Sequence, residues 1–167
     1  TQDVFFLVFS ITVGIALLLI YWILKCSNNE RTRKKTSWVL LFLILWLSLQ
    51  AILTYKGLYY ENLDSMPPKI LLLGVLPNII LIVFLFVLEK GKIVLDSLSI
   101  EKITYLSLVR IPVEFVLLWL FTNEVIPQSM TFEGTNYDIL MGITAPLILY
   151  FGFRKCKLGW KTILIWN

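Results

Sequence analysis

Residues 4–24 read VFFLVFSITVGIALLLIYWIL and carry no charged side chain. An α-helix needs about 20 apolar residues, at a rise of about 1.5 Å each, to cross the hydrocarbon core of a bilayer. The stretch has neither a basic segment before it nor a small-residue cleavage site after it, which argues against a cleaved signal peptide. It therefore predicts a transmembrane helix.

Four further apolar stretches follow, and the predicted spans cover residues 4–24, 38–55, 70–88, 103–121 and 139–153. A last apolar run starts at Leu158 and continues to Asn167, and it either begins a further helix or lies along the membrane surface. A soluble domain could not keep a composition of 58% apolar and 16% charged residues out of water. The sequence predicts an all-α, polytopic transmembrane helical bundle of five spans plus the start of a sixth, as one domain over residues 1–167.

The basic residues indicate the orientation of this bundle, because Lys and Arg of short loops concentrate on the cytoplasmic side. Alternate connectors hold Lys25, Arg31, Arg33, Lys34, Lys35, Lys90, Lys92, Lys102, Arg154, Lys155, Lys157 and Lys161. The second connector holds only Lys56 and Lys69, and the fourth holds Glu124, Glu133 and Asp138 without any Lys or Arg. We predict that the N-terminus lies outside the cytoplasm and that the basic connectors lie inside.

The net charge of +4 does not indicate nucleic-acid binding, because the basic side chains are spread over several loops. The lipid bilayer is the predicted partner. The basic run at residues 31–35 either sets topology alone or also attracts anionic headgroups, at about 1 kcal/mol per charge. The third connector, residues 93–103, mixes apolar and charged residues, which predicts a short interfacial helix.

Two ionisable side chains, Arg110 and Glu114, lie inside the predicted fourth span. A charge within the bilayer costs about 3 kcal/mol or more, so such residues are candidate functional sites. They are four residues apart, hence on one helix face, which allows an intrahelical ion pair. Two interpretations stay open: the pair locks the bundle, or it belongs to a ligand or ion site.

Three consecutive predicted spans carry a proline near the middle: Pro77, Pro112 and Pro146. Proline removes a backbone donor and clashes with the carbonyl four residues earlier, so kinks are predicted at these positions. The carbonyls freed by them are those of Leu73, Leu108 and Gly142. Freed carbonyls at membrane depth need protein or water around them, and broken midplane helices hold substrates in many transporters.

A polar midplane site between the third, fourth and fifth helices is therefore one prediction, with the three prolines as hinges. Its candidate ligand- or ion-binding residues are Arg110, Glu114, Asn78 and Gln50. The alternative is purely structural, since Gly74, Gly142 and Ala145 are small enough to let helices approach closely.

The connector before the fifth span carries Glu133, Asn136 and Asp138. These oxygen-bearing side chains are candidates for an outer mouth that receives a cation or polar substrate. The alternative is helix capping, in which Asn136 or Asp138 accepts backbone donors of the first turn. No spacing matches a calcium loop or another metal motif, and we expect no metal and no cofactor.

Two motifs stand out in the last third of the chain: R-x-P-V-E at residues 110–114 and M-T-F-x-G-x-N-x-D-I-L-x-G-I-T-A-P at residues 130–146. They resemble a pattern in a group of small, uncharacterised bacterial multi-spanning membrane proteins. In that group further spans follow a K-x-x-L-I-W-N segment like residues 161–167. The resemblance implies a larger helical bundle in a bacterial inner (plasma) membrane, and it implies no activity.

Absent residues argue against an enzyme. With no histidine, the chain cannot form a His-based metal or haem site or a Ser-His pair. The five spans hold no pair of aspartates for a peptidase, and the Asp pair of prenyl transferases and a glycine-rich nucleotide loop are missing. We expect no catalytic residue.

Two function classes remain. The first is a small carrier, channel or ligand-sensing protein in which Glu114 titrates or binds substrate and Arg110 balances its charge. The second is a non-catalytic accessory subunit that packs on a larger membrane protein complex. The partner is then another membrane protein, or a second copy in a homo-oligomer.

Overall fold

The computed structural model describes residues 2–59 and 67–166, and every regular element among them is helical. The all-α prediction is confirmed for this part of the chain. The α-helices are α1 (Gln2–Lys25), α2 (Glu30–Tyr55), α3 (Leu76–Val87), α4 (Glu89–Asp96), α5 (Ile100–Leu106), α6 (Arg110–Thr122), α7 (Asp138–Ile148) and α8 (Trp160–Trp166). π-Helical turns cover Leu71–Val75 and Leu149–Arg154, and 3₁₀ turns cover Ser107–Val109 and Gln128–Met130.

Three helical segments are long and apolar enough to cross a membrane: Phe6–Lys25, Glu30–Tyr55 and Ile100–Thr122. A fourth is Leu71–Val87 if it counts together with Glu89–Asp96, from which it is bent by 83°. The chain is therefore an integral membrane protein with several apolar helices. The fifth predicted span corresponds to α7 with the π-helical turn behind it.

The basic run at residues 31–35 is helical, whereas the sequence predicts a connector there and a span from Trp38. Asn29 caps α2, since its side chain accepts a hydrogen bond from the Arg31 backbone N–H at 2.9 Å. Glu30 and Lys34 add an ion pair of 2.8 Å one turn apart. Hydropathy marks where lipid begins, but an N-cap and good helix formers start the helix two turns earlier.

The interfacial helix predicted within residues 93–103 is replaced by α4, which follows α3 directly. Leu88 is extended between the two helices, with φ −73° and ψ 134°. A Cβ at Gly91 would lie 2.3 Å from the Leu85 carbonyl oxygen, so only glycine allows this sharp turn. The short helix lies earlier in the chain than predicted, because the charged residues after Leu88 begin a helix instead of a loop.

The contacts divide the chain into two compact units, which we call the α2–α4 unit (residues 24–98) and the α1/α5–α8 unit (residues 1–23 and 99–167). In the α2–α4 unit, buried hydroxyls tie the segment before α2 to the end of α4. Ser27 Oγ donates to Ser97 Oγ at 2.7 Å, and the Asn28 N–H donates to the Ser97 carbonyl at 3.0 Å. This cluster holds the two helix ends together.

In the α1/α5–α8 unit, α7 packs against the start of α6. A Cβ at Gly142 would lie 2.7 Å from Ile111 Cγ1 and 3.2 Å from the Ile111 nitrogen. Ala145, one turn later, is fully buried. Small residues therefore serve close helix approach here, as the structural alternative predicts. At Gly74 a Cβ would meet only ordinary contacts.

The apolar run that starts at Leu158 forms α8, and Asn167 lies outside the described residues. Ile163 is buried and would lie 3.2 Å from a Cβ at Gly152. The Trp166 indole N–H donates to Thr144 Oγ1 at 3.0 Å. This helix therefore packs on α7 and on the π-helical turn that follows it.

Candidate functional site

The candidate site begins where α5 passes into α6. A 3₁₀ turn, Ser107–Val109, separates the two helices, and Pro112 lies in the first turn of α6. Backbone N–H groups of a first turn lack an intrahelical acceptor, so proline costs little there. The kink predicted at Pro112 thus takes the form of a tightened turn before the proline.

Arg110, the first residue of α6, forms an ion pair with Asp138, the first residue of α7. Arg110 Nη1 lies 2.6 Å from Asp138 Oδ1, and both side chains are partly exposed. Charge-assisted hydrogen bonds of this length are among the stronger ones in proteins. The guanidinium of Arg110 is therefore neutralised by the carboxylate on the neighbouring helix.

Glu114 lies one turn further along α6 and is 1% exposed. Its Oε1 accepts a hydrogen bond from Asn136 Nδ2 at 2.6 Å. Its Oε2 is buried and has no hydrogen-bond partner among the described residues. A buried carboxylate oxygen without a donor is costly, and native structures hold few of them.

The predicted ion pair between Arg110 and Glu114 does not form, because each side chain finds its partner on the returning chain. The earlier residue of α6 bonds to the later Asp138, and the later Glu114 bonds to the earlier Asn136. This order is the one that an antiparallel helical hairpin produces. Contacts with the neighbouring segment of the hairpin therefore form in place of a contact between Arg110 and Glu114 within α6.

Asn136 connects α6 to the start of α7, and the sequence predicted it either as a helix cap or as part of an outer mouth. Its Oδ1 accepts the Asp138 backbone N–H at 3.2 Å, which confirms that Asn136 bonds a first-turn donor of α7. Its Nδ2 donates both to Glu114 and, at 3.2 Å, to the Met130 carbonyl. The amide therefore faces the α6 site and does not form the outer mouth predicted for it.

The connector between α6 and α7 folds back along α6. The rings of Phe115 and Phe132 make an edge-to-face contact at 6.3 Å between centroids. Thr131 is fully buried, and a Cβ at Gly134 would lie 2.2 Å from the Gln128 carbonyl oxygen. Glu114 precedes Thr122, the end of α6, by about 12 Å along the axis, so the part of the connector that holds Asn136 lies alongside the candidate span.

Of the predicted outer mouth, Glu133 is an exposed carboxylate without an ion pair among the described residues, while Asp138 pairs with Arg110. In the described part of the chain, no three His, Cys, Asp or Glu side chains are grouped to hold a metal ion. Of the three side chains predicted for the mouth, Asn136 and Asp138 thus make internal contacts and Glu133 is exposed. The reason is that the connector returns along α6 instead of projecting outward.

A cavity of about 420 Å³ lies beside Glu114 within the α1/α5–α8 unit. Its polar lining consists of Ser107, Arg110, Glu114 and Asp138. The rest is aliphatic and comes from α1, α5 and α6, including Ala16, Ile20 and Val113. The volume is in the range of small-molecule sites, which combine a mostly apolar wall with a few polar groups.

Gln50 and Asn78, the other predicted ligand-binding residues, belong to the α2–α4 unit and have partners of their own. Gln50 Nε2 donates to the Leu73 carbonyl at 3.1 Å, and the Tyr59 hydroxyl donates to Gln50 Oε1. Leu73 is the residue whose carbonyl Pro77 deprives of its usual helical donor. Gln50 therefore replaces the missing backbone donor.

Asn78 and Pro146 complete the predicted set. Asn78 Nδ2 donates to the Gly74 carbonyl one turn earlier, at 2.7 Å. Pro146 lies inside α7, and a π-helical turn, Leu149–Arg154, follows it. Sequence reasoning missed the contributions of α1, namely Ala16 and Ile20, because an apolar helix carries no mark of the side that faces a cavity.

No protein-family model, no curated protein and no solved structure matches the chain significantly. The resemblance to small bacterial membrane proteins therefore stays a prediction. The structure does join the two motifs that carry it, since residues 110 and 114 bond to residues 138 and 136. The hairpin that contains both motifs is the candidate functional site of this integral membrane protein.

Proposed function

We propose that the protein is a small carrier, channel or ligand-sensing protein whose ligand binds at Glu114. One observation carries this proposal: a carboxylate that is 1% exposed lies at a cavity of about 420 Å³ and keeps one oxygen without a donor in the described part of the chain. Leaving such an oxygen unsatisfied costs roughly 1–3 kcal/mol. A ligand that donates a hydrogen bond offsets this cost.

The pairing of the neighbouring charges supports a ligand role over a locking role. The locking interpretation paired Arg110 with Glu114, so that the two charges would neutralise each other. Instead Arg110 is bonded to Asp138, and the hydrogen-bond partner of Glu114 among the described residues is the neutral amide of Asn136. Glu114 therefore has no direct ion-pair contact in the described part of the chain.

The proposed topology has five spans, an N-terminus outside the cytoplasm and basic connectors inside, in a bacterial inner membrane. In a background with Cys26 and Cys156 replaced by serine, we expect Glu133→Cys to react with an impermeant thiol reagent added outside intact cells. Arg33→Cys should react only after the membrane is opened. The reverse pattern would overturn this orientation.

Cysteine accessibility also tests the cavity. Val113 lines it, whereas Val116 is buried, 5% exposed, and outside its lining. In the same background we expect Val113→Cys to react with a small hydrophilic methanethiosulfonate in lipid vesicles, and Val116→Cys to remain unmodified. Reaction from one side of the membrane supports a ligand sensor, and reaction from both sides supports a carrier or channel. Equal protection of both cysteines would contradict the proposal.

An accessory subunit is the second candidate, and the exposure of α3 favours it. None of the described residues 71–87 is buried, so α3 and the π-helical turn before it present apolar side chains on every side. Lipid or another membrane protein covers such a surface. We expect the accessory role to give one stoichiometric membrane partner on purification in native lipid, lost in a variant with Ile79→Arg. A protein that stays alone, or pairs only with itself, argues against it.

A further inference from the structure

We infer that the ligand of the Glu114 cavity is an organic ammonium ion with one positive charge and an apolar body. This inference rests on the proposed ligand-binding function and names the chemical class of the ligand. Three properties of the cavity lead to it: the hydrogen-bonding capacity of Glu114, the balance of charges on the wall, and the aliphatic remainder of the lining.

The hydrogen-bonding capacity of Glu114 calls for a donor on the ligand. An ionised carboxylate only accepts hydrogen bonds, and Oε2 of Glu114 is buried with no donor near it within residues 2–59 and 67–166. Asn136 already occupies Oε1 at 2.6 Å. The ligand atom nearest Glu114 therefore carries an N–H or O–H.

The charge balance favours a cation beside the ionised form of Glu114. Arg110, Glu114 and Asp138 line the cavity, so the wall holds one more carboxylate than guanidinium groups. The positive charge of Arg110 is already balanced by Asp138 at 2.6 Å, so an anionic ligand would add a second unbalanced negative charge beside that of Glu114. A single positive charge beside Glu114 neutralises the wall.

The apolar lining excludes a bare metal ion and favours an organic body. Hard cations take six or more oxygen ligands, whereas here Ala16, Ile20 and Val113 stand among a mostly aliphatic wall. Burial of an apolar group against such side chains contributes about 25 cal/mol per Å². An alkyl or aryl ammonium satisfies the carboxylate with its head and this wall with its body.

Binding is tested on the full chain in nanodiscs of phosphatidylcholine and phosphatidylglycerol, lipids without an ammonium N–H donor. Three probes of similar size are compared by the shift of the thermal unfolding midpoint: phenethylammonium, phenethyl alcohol and hydrocinnamate. We expect phenethylammonium alone to raise the midpoint, by an amount that grows with the logarithm of its concentration above the dissociation constant. A larger shift with the alcohol or the carboxylate overturns the inference.

Glu114→Gln is the main variant, because glutamine keeps an acceptor for Asn136 but places a neutral donor at the ligand side. We expect it to weaken phenethylammonium binding by at least about tenfold, as loss of a charged partner does. Glu124→Gln is the matched control, since it removes an exposed carboxylate of the connector between α6 and α7 that belongs to no candidate site, and it should bind as the wild type does. Unchanged binding by Glu114→Gln overturns the inference.

Ala16→Phe is a second variant, which leaves the hydrogen bond between Asn136 and Glu114 intact and fills the cavity from α1. It should weaken phenethylammonium binding by about tenfold as well, because a filled pocket excludes the aromatic body. If no probe binds while Val113→Cys is reactive, the ammonium class fails and the accessible cavity stands. If Val113→Cys is also unreactive, the proposed function fails with it.

An ammonium ligand can be a free amine or a lipid headgroup, and the nanodisc composition separates these sources. Adding phosphatidylethanolamine to the wild-type nanodiscs should leave the phenethylammonium titration unchanged if the ligand is a free amine. A competing effect that Glu114→Gln abolishes identifies the lipid headgroup as the source. Both outcomes retain the ammonium class, and competition that persists in Glu114→Gln overturns it.

Discussion

Each unit of the molecule has a proline beside polar side chains in an apolar helix, and the outcome differs. In the α2–α4 unit, Gln50 donates to the Leu73 carbonyl that Pro77 deprives of its usual donor. In the α1/α5–α8 unit, Pro112 sits in a first turn, and the nearby Glu114 keeps an oxygen without a partner in the described chain. A proline with satisfied neighbours is a structural feature, whereas an unsatisfied carboxylate beside a cavity indicates a site.

The largest expected effect breaks the helix packing on which the site depends. Gly142→Ala places a Cβ 2.7 Å from Ile111 Cγ1, whereas Gly74→Ala in the other unit meets its nearest atom at 3.6 Å. We expect Gly142→Ala to lower the free energy of unfolding by about 2 kcal/mol through overpacking. Gly74→Ala should leave it unchanged or raise it by up to about 1 kcal/mol, as alanine favours helix. Unfolding of both variants in mixed micelles measures this, and equal costs would contradict the packing difference.

The next effect concerns which charges are coupled. Arg110→Gln and Asp138→Asn should each lower the free energy of unfolding by about 1 kcal/mol, limited by the partial exposure of both side chains. The double variant should lose less than the two changes together, because the second removes a charge that the first left unpaired. Arg110→Gln combined with Glu114→Gln should be closer to additive. Coupling confined to Arg110 and Glu114 would show that the intrahelical pair forms after all.

A smaller effect tests the structural role assigned to Gln50. Gln50→Leu removes the donor to the Leu73 carbonyl and should cost about 1 kcal/mol. Pro77→Ala restores a backbone N–H at the position that normally bonds Leu73, so Gln50→Leu should cost much less in that background. The same unfolding titration on the four proteins measures the difference. If Gln50→Leu is neutral in both backgrounds, the hydrogen bond contributes nothing to stability.

The smallest effect on stability belongs to the residue with the largest proposed role in function. Glu114→Gln keeps its hydrogen bond with Asn136 and removes a buried charge, so the free energy of unfolding should change by less than about 0.5 kcal/mol or increase. Asn136→Leu, by contrast, removes the donor to Glu114 Oε1 and should lower the free energy of unfolding by about 2 kcal/mol. A loss for Glu114→Gln as large as that for Gly142→Ala would make Glu114 a structural residue.

Sequence reasoning located the helices well and their ends less well. Apolar length identified the segments around α1, α2 and α6, because the bilayer requires about 20 apolar residues per span. It placed the start of α2 at Trp38, since hydropathy does not report the cap at Asn29 that begins the helix. The bend before α4 was missed, because it depends on the close approach of Gly91 to the Leu85 backbone.

The candidate site was predicted residue by residue but not in its connections. Arg110 and Glu114 stood out because ionisable groups are rare in apolar helices, and Asn136 and Asp138 stood out as polar residues before α7. Their order along the chain could have predicted the pairing, because an antiparallel hairpin brings Arg110 to Asp138 and Glu114 to Asn136. Spacing within one helix pointed to the wrong pair.

The sequence by itself determined that this is an apolar, helical membrane protein, because burial in lipid depends only on local composition and on the length of each run. It also determined which few side chains are polar enough to matter. The tertiary structure alone decided that Gln50 supplies a missing helical donor in one unit. It also decided that Glu114, in the other unit, lies at a cavity with one oxygen that has no partner among the described residues. Hydrogen bonds between residues more than 20 positions apart depend on helix register, and register is set by packing at positions such as Gly142 and Ile111.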